Sequence, residues 1–392
     1  MMLGYLLARA AVPVIVLEKH NDFLRDFRGD TIHPSTLEVI HELGLLEDFL
    51  RRPHQELTEV RGVVGDEPVR VADFSHLSTH CKFLMFMPQW DFLDFLADHA
   101  RTLASFRLYM NAEVVDLLKD GDRVSGVVAD TPEGAVAVRA QLVVGADGRS
   151  SIVRNKAGLD VEQFGVPIDV LWMRISKSRE HTEQTFGRVA NGKVMVTLDR
   201  GDYWQCAYVI RKGAFDDIRE RGVSAFREEI AELAPHVRAH VDDLTDWNQI
   251  KLLTVKVDRL RRWDGPGILC IGDAAHAMSP IGGVGINLAI QDAVAAANIL
   301  ATPLREHRLT DDVLHRVQRR RMLPTRLTQS AQLFIQTRVF GKVLGRPGAV
   351  KLPLLVKLLQ RWAFLRRIPA QLVGVGVRPE HVISILVALA AS

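Results

Sequence analysis

The chain has 392 residues, 47% of them hydrophobic and 25% charged, with a formal net charge of +3. That length holds a large core and two or more domains, and the charge is too small to point to nucleic acid by itself. Cys81, Cys206 and Cys270 stand far apart with no Cys-x-x-Cys spacing; this indicates neither a disulfide framework nor a zinc site and fits a reduced, cytoplasmic setting.

In chain order, Leu3 to Ala10 has the apolar pattern of a short helix. Val12 to Leu17 reads as a buried parallel strand ending in Glu18. A carboxylate at the end of the second strand of a βαβ unit can accept ribose hydroxyls; without context, a surface glutamate is the simpler account. Arg28 follows in a glycine-containing loop from which a guanidinium can reach phosphates. Ser35 and Glu38 have the spacing of a capping box for a helix from Thr36 to Leu43, stopped by Gly44. His33 reads equally as a turn residue or a site residue.

Leu57–Val64 and Val69–Phe74 are short β-like runs. Pro88-Gln89 then opens an amphipathic helix, Trp90 to Leu103, with Phe92, Leu93, Leu96 and Ala100 on its apolar side. Two strand-like runs lie between Phe106 and Leu118, the second containing Val114. Asp120-Gly121-Asp122 reads as the hairpin turn before Val124–Ala129, and residues 132–134 mark another turn. Gln141–Val144 is a buried strand that ends in Gly145-Ala146-Asp147-Gly148-Arg149-Ser150-Ser151. There Ser150 or Ser151 caps a helix carrying Arg154.

Residues 166–253 are β-rich. Strands are expected at Val170–Ile175, Val194–Leu198 and Tyr203–Ile210, and a helix at Ser224–Leu233. Alternation puts Tyr203 and Gln205 on one face of the third strand and Trp204 and Tyr208 on the other. A tyrosine lining a pocket can orient or deprotonate a phenol, which makes Tyr203 and Tyr208 the weak catalytic candidates. Filling a sheet is the commoner role of strand aromatics.

Residues 267–292 carry the densest chemistry. An apolar strand, Ile268–Ile271, stops at Gly272-Asp273, at the strand end where ligands bind in open α/β sheets. Pro280 stiffens the following loop, and Gly282, Gly283 and Gly285 remove the side chains that would hold a flat ligand away. A helix is expected from Ile286 to Leu300, so loop amides and helix start point at one spot. Asp273 suits sugar hydroxyls, and the helix start suits an electron-rich ring edge.

Beyond it the chain turns basic: between Leu304 and Ile368 stand twelve arginines and three lysines against Glu306, Asp311 and Asp312. A solvated helical face explains this most simply. A peripheral contact with anionic lipid, through the interleaved Phe334, Val339, Phe340, Leu354, Leu355 and Leu358, is a second reading, and a homodimer contact stands level with it. Nucleic acid is the weakest, since no recognition motif accompanies the charge. No run reaches the roughly 18–20 apolar residues that span a bilayer, the apolar tail 382–391 is too short, and the start lacks the flank and cleavage pattern of a signal peptide.

Gly-Asp-Ala-Ala-His, Pro280, Gly-Gly-Val-Gly-Ile-Asn and Asp292 together closely resemble the flavin-binding signature of the para-hydroxybenzoate hydroxylase-like FAD monooxygenases, and the Asp147-Gly148 segment resembles that family's second signature. The resemblance covers about residues 2–292. It implies an α/β fold: a Rossmann-like FAD-binding domain of the glutathione reductase type (1–56, 88–165 and 254–303), an inserted β-rich substrate domain (57–87 and 166–253) and a C-terminal helical region (304–392). It also implies FAD as cofactor, NAD(P)H as transient co-substrate, O2 and a small-molecule substrate, with no metal. By the same resemblance Glu18 meets the adenosine ribose, Val114 lies in the strand that meets the adenine, and Arg28 and Gln89 approach the flavin. Asp147, Gly148 and Arg154 belong to the segment that contacts FAD and NAD(P)H, while Gly272, Asp273, Pro280, Gly282, Gly283, Gly285, Ile286 and Asn287 shape the flavin site.

The implied reaction is hydroxylation of an aromatic or polyketide-like molecule through a flavin C4a-hydroperoxide. Flavin halogenases and prenyl reductases share the fold, but the Trp-x-Trp-x-Ile-Pro pattern of halogenases is absent. In the family a strand and a G-x-G-x-x-G loop precede the helix matching Met2 to Ala10; here only Gly4 is present, within the helix. The expectation is a chain that starts too late, the alternative a non-catalytic remnant that binds no FAD.

Overall fold

The computed structural model describes residues 1–24, 31–178, 186–345, 348 and 352–383. The helices used below are α1 (Met2–Arg9), α2 (Pro34–Glu42), α3 (Gln89–Arg101), α4 (Ile152–Lys156), α5 (Val223–Leu233), α6 (Gly285–Arg305), α7 (Asp311–Ile335), α8 (Leu354–Arg361) and α9 (Arg367–Gly374). The strands used below are β1 (Val14–Leu17), β2 (Thr31–Ile32), β3 (Gln55–Leu57), β4 (Glu59–Val64), β5 (Glu67–Asp73), β6 (Leu84–Phe86), β7 (Phe106–Tyr109), β8 (Glu113–Asp120), β9 (Arg123–Thr131), β10 (Gly134–Arg139) and β11 (Val143–Gly145). They continue with β12 (Ile168–Ser176), β13 (Phe186–Ala190), β14 (Lys193–Asp199), β15 (Tyr203–Arg211), β16 (Lys251–Leu253) and β17 (Ile268–Cys270).

α1 is buried along its whole length, packed on α6, α3 and β1. Gly4 explains how close it sits: a Cβ there would lie 2.9 Å from Val16 Cγ2 and 3.1 Å from the Phe106 ring. Any larger residue would push the helix off the strands. β1 pairs in parallel with β7, and β11 in parallel with β17, Gly145 opposite Cys270. The meander β8–β9–β10 packs against the second pair, burying Val124, Val127, Val143, Val153 and Ile268 together.

A mixed seven-stranded sheet runs in the order β16-β12-β15-β14-β13-β4-β5. Its two faces differ, as strand alternation requires. Leu171, Met173, Ile175, Trp204, Cys206, Tyr208 and Ile210 face α5 and form one core with Phe226 and Ile230. On the other face Ile168, Val194 and Val209 meet Ile281, which lies in the glycine-rich loop before α6, and Leu344 beyond α7. This second face is therefore the one turned to the 272–287 segment.

Two expectations need correction. The helix after residue 33 starts at Pro34, with His33 extended at the N-cap and no side-chain cap bond. Proline at the first position is pre-set for a helix start, and Glu38 is engaged instead by His80, whose amide donates at 3.1 Å and whose Nδ1 lies 2.9 Å away. Secondly, residues 281–305 are long and apolar enough to cross a membrane by composition, yet 61% of their most apolar 18-residue stretch is buried inside the protein. It is a core helix, largely apolar because neighbouring elements cover most of it, with Asn287, Gln291 and Asp292 buried on polar partners. Cys81, Cys206 and Cys270 are free and buried.

Candidate active site

The parallel pairing of β11 with β17 brings the two strand ends together. Two residues past Gly145 comes Asp147, and three past Cys270 comes Asp273. Arg149 Nη2 lies 3.6 Å from Asp273 Oδ2, joining the two segments across the site. The Asp273 side chain is about one third exposed. Burial of its surroundings raises its pKa above the ordinary carboxylate value, while Arg149 and His276 oppose the rise. It remains an acceptor held at the mouth of the site.

Beneath it lies a buried charge network. Asp292 of α6 accepts from the Gly272 amide at 3.1 Å, lies 2.5 Å from His276 Nε2 and accepts from Arg321 Nε at 2.9 Å. Burial pushes the Asp292 carboxyl up, but His276 and Arg321 together hold it below the usual range. Arg321 also reaches Glu380 at 3.3 Å. The turn at Gly272 is thereby tied to α6, α7 and the tail. Gly272 itself has φ +58, and a Cβ would come 2.9 Å from the Ala289 Cβ, so only glycine suits this crossing of turn and helix.

The loop before α6 is shaped by its glycines. Gly282 and Gly283 have φ +78 and +62, and a Cβ on Gly283 would meet Thr31 Oγ1 at 2.9 Å. Gly285 opens α6 with no side-chain cap, leaving first-turn amides without intrahelical acceptors. A Cβ on Gly285 would stand 4.0 Å from Asp273 Oδ1, so helix start and carboxylate share one space. Pro280 opens the short turn before Gly282, and Ile286 joins the main core.

Other expected site residues serve the scaffold. Asn287 Oδ1 accepts from the His33 amide and the Thr36 hydroxyl, each at 2.8 Å, while Nδ2 donates to the carbonyls of Thr31 and Gly283. Its side chain is fully engaged and locks the loop to the β2–α2 junction. Both Asp147 oxygens are used at the start of α4, by the Ser151 hydroxyl and the Val153 amide. Ser151 is the N-cap, accepting from the Arg154 amide at 3.0 Å, and Gly148 turns the chain at φ +84. Arg154 is 6% exposed and donates to the carbonyls of Arg149 and Ala274; it fastens one signature to the other from behind.

Glu18 ends β1, its carboxylate accepting from the His20 amide at 3.1 Å. Val114 shares a small apolar cluster with Leu17, next to that strand end. Gln89 is the first residue of α3 and half-buried. Arg28 lies outside the described residues. Tyr203 sits on the site-facing side under the Arg174 guanidinium, 3.9 Å from its ring centre. Tyr208 does not line the site. Its hydroxyl donates to Glu229 of α5 at 3.0 Å, on the covered face, and burial followed by the Glu229 charge drives its pKa up.

Sequence reasoning missed a row of buried glutamines on α7 and at the first position after it. Gln318 bonds the Trp263 amide and the Arg261 carbonyl; Gln329 donates to the carbonyls of Asp258 and Ala277. Gln332 accepts from the Ser279 amide at 3.1 Å and donates to the carbonyls of Ser279 and Ile281 at 3.0 and 2.9 Å, and Gln336 bonds the Ser279 hydroxyl. A single π-helical turn, Gln336–Phe340, follows at once. In the sequence these glutamines look like ordinary helix-surface residues; only their spacing along a helix hinted at a shared face.

These features fit a flavin nucleotide: a carboxylate for ribityl hydroxyls, uncapped amides at a helix start, and glycines where a Cβ would fill the approach. A family described as "FAD binding domain" matches residues 1–331, and the chain belongs to it, as an FAD-dependent monooxygenase of the para-hydroxybenzoate hydroxylase-like fold. Among its relatives is 6-methylpretetramide 4-monooxygenase of Streptomyces rimosus, 32% identical over 361 residues, which are 92% of this chain and 86% of the relative. Rifampicin monooxygenase of Streptomyces venezuelae is 29% identical over 310 residues, 75% of this chain but only 60% of that relative's length. The crystal structure of a probable FAD-dependent monooxygenase from Pseudomonas aeruginosa superposes with a TM-score of 0.73 at 23% identity, covering 87% of this chain and 95% of that one.

Proposed function

We propose that the chain hydroxylates an aromatic or polyketide-like small molecule between the 272–287 segment and the inner face of the seven-stranded sheet, with O2 as co-substrate and NAD(P)H as transient electron donor. The observation that carries this reading is the Arg149–Asp273 contact across the ends of β11 and β17, beside a loop whose Ile281 packs on the apolar sheet face. The named substrates of two relatives, 6-methylpretetramide and rifampicin, support the substrate class. Bound FAD supplies the electron and oxygen chemistry.

The chain's residues bind, orient and exclude water. In this reading Asp273 and Glu18 accept cofactor hydroxyls, and the amides at the start of α6 meet the electron-rich edge of the ring. Val114 lies by the adenine, and Gln89 by the ring. Arg154 and Asn287 act through the backbone they hold. Trp172, Val196 and Ala207, on the inner face, shape the substrate's apolar surroundings. Three free buried cysteines accord with a reducing, cytoplasmic setting.

The test is titration of the purified full chain with FAD, followed by oxygen uptake with NAD(P)H and candidate phenols under labelled dioxygen. One labelled oxygen atom is expected in the product. Asp273→Asn should weaken FAD binding about tenfold or more, the scale of a hydrogen bond to a charged group. Failure to take up FAD, or NAD(P)H oxidation with no labelled product from any candidate, overturns the reading.

A further inference from the structure

Of the fifteen large hydrophobic side chains exposed among the described residues, six fall between Leu354 and Leu372. They are Leu354, Leu355, Trp362, Phe364, Ile368 and Leu372, each at least 48% exposed. Single exposed apolar residues are ordinary, but a concentration like this marks a contact surface.

The segment is docked rather than loose, and its docked side accounts for what points outward. Gln360 of α8 donates to the Arg70 carbonyl at 2.8 Å and accepts from the Arg70 amide at 3.1 Å, so the helix is stitched to the backbone of β5. Ala370 is fully buried, and Gly374 lies so close that a Cβ would stand 3.1 Å from both Phe74 and Leu77. The Val373 carbonyl accepts from His33. With Gln360, Ala370, Val373 and Gly374 turned inward, the leucines and aromatic residues are held to solvent.

Cations are interleaved with them. Lys357, Arg361 and Arg367 are exposed, and Arg366 is half-buried with Nε on the Leu359 carbonyl. From residue 313 to 379 the chain carries fourteen Lys and Arg and not one Asp or Glu. The acid that feels this group is Asp73 of β5, beside Arg367.

We propose that this face docks the protein on an anionic lipid bilayer. Leucine, tryptophan and phenylalanine side chains enter the boundary between headgroups and acyl chains, while the long cationic stems lie along it with their charges among the phosphates. Charge decides between lipid and a second copy. A two-fold self-contact would set Lys357, Arg361, Arg366 and Arg367 against their own counterparts, with no acid in 313–379 to receive them. An anionic surface supplies the missing charge. Docking through this face involves neither the substrate nor turnover.

The test uses the full-length protein, sedimented with phosphatidylcholine vesicles that contain or lack phosphatidylglycerol. Binding is expected only to the anionic vesicles and should weaken as salt rises. Replacing Lys357 or Arg361 by Gln should lower partitioning about fivefold each, the effect of one cation near such a surface. Leu354→Ser with Leu355→Ser should abolish binding with the melting temperature unchanged, since both side chains are outside the core. Absence of binding to anionic vesicles, equal binding to neutral ones, or indifference to these substitutions overturns the proposal. So does a dimer in sedimentation velocity that the two serine substitutions dissolve, which would assign the face to a second copy.

Discussion

His33 is buried at the junction of β2, α2 and the loop before α6, with Nδ1–H donating to the Val373 carbonyl at 2.6 Å. Burial pulls its pKa from 6.5 down to about 4, against the hydrogen bonds to Val373 and Gly282. Between those values the unfolded chain binds a proton that the folded protein refuses. Stability is therefore complete above pH 6.5 and is lost as pH falls toward 4, by roughly 3 kcal/mol in all at about 1.4 kcal/mol per pH step. Urea midpoints at pH 7 and pH 5 should show this slope in the wild type, and His33→Asn should remove it. A second residue-scale expectation concerns Gly283. Alanine there must adopt φ +62 with its Cβ 2.9 Å from Thr31 Oγ1, so Gly283→Ala should destabilise by more than about 1 kcal/mol and weaken FAD binding in a fluorescence titration. The need for glycine at 282 and 283, with φ +78 and +62, was legible in the sequence because tight turns demand it. The engagement of Asn287 was not, because its partner His33 lies 254 positions away.

Among the elements, α7 departs furthest from its sequence reading. Its charge suggested a solvated face, yet Arg321 is 1% exposed and closes an ion-pair chain from Asp292 to Glu380. Arg321→Met should cost about 3 kcal/mol, because Asp292 would stay buried with only His276 and the Gly272 amide as partners, while Glu380 keeps Arg320 at 2.7 Å; chemical denaturation measures it. The glutamine row makes a more selective prediction. Gln332→Ala leaves the Ser279 amide and the carbonyls of Ser279 and Ile281 without their partner, a loss of about 1–3 kcal/mol. If the loop holds the cofactor as proposed, the effect should concentrate on FAD affinity, while Gln318→Ala should destabilise without that bias. Helices and hairpins with strong local signals, such as α3, α5 and the β8–β9 turn at Gly121, were readable from periodicity and turn chemistry. The start of α2 was misread because Pro34 at the first helical position outranks a capping box.

For the molecule as a whole, the two signatures carried the family and its α/β fold, since each ends a buried strand and the parallel β11–β17 pair joins them. The parallel pairing of β13 with β4 was not readable, because no local pattern in either strand names a partner more than a hundred positions away. The same sequence separation bears on how the protein is made. Residues 277–281 are latched by glutamines some 52 and 53 positions downstream, and chains emerge from the ribosome amino end first. While synthesis is still short of α7, the half-made polypeptide has this turn without the glutamines that hold its 277–281 side. Full bracing of this turn is thus expected only once α7 has emerged, and a ribosome stalled before residue 311 should carry a nascent protein that quenches flavin fluorescence less than the finished chain.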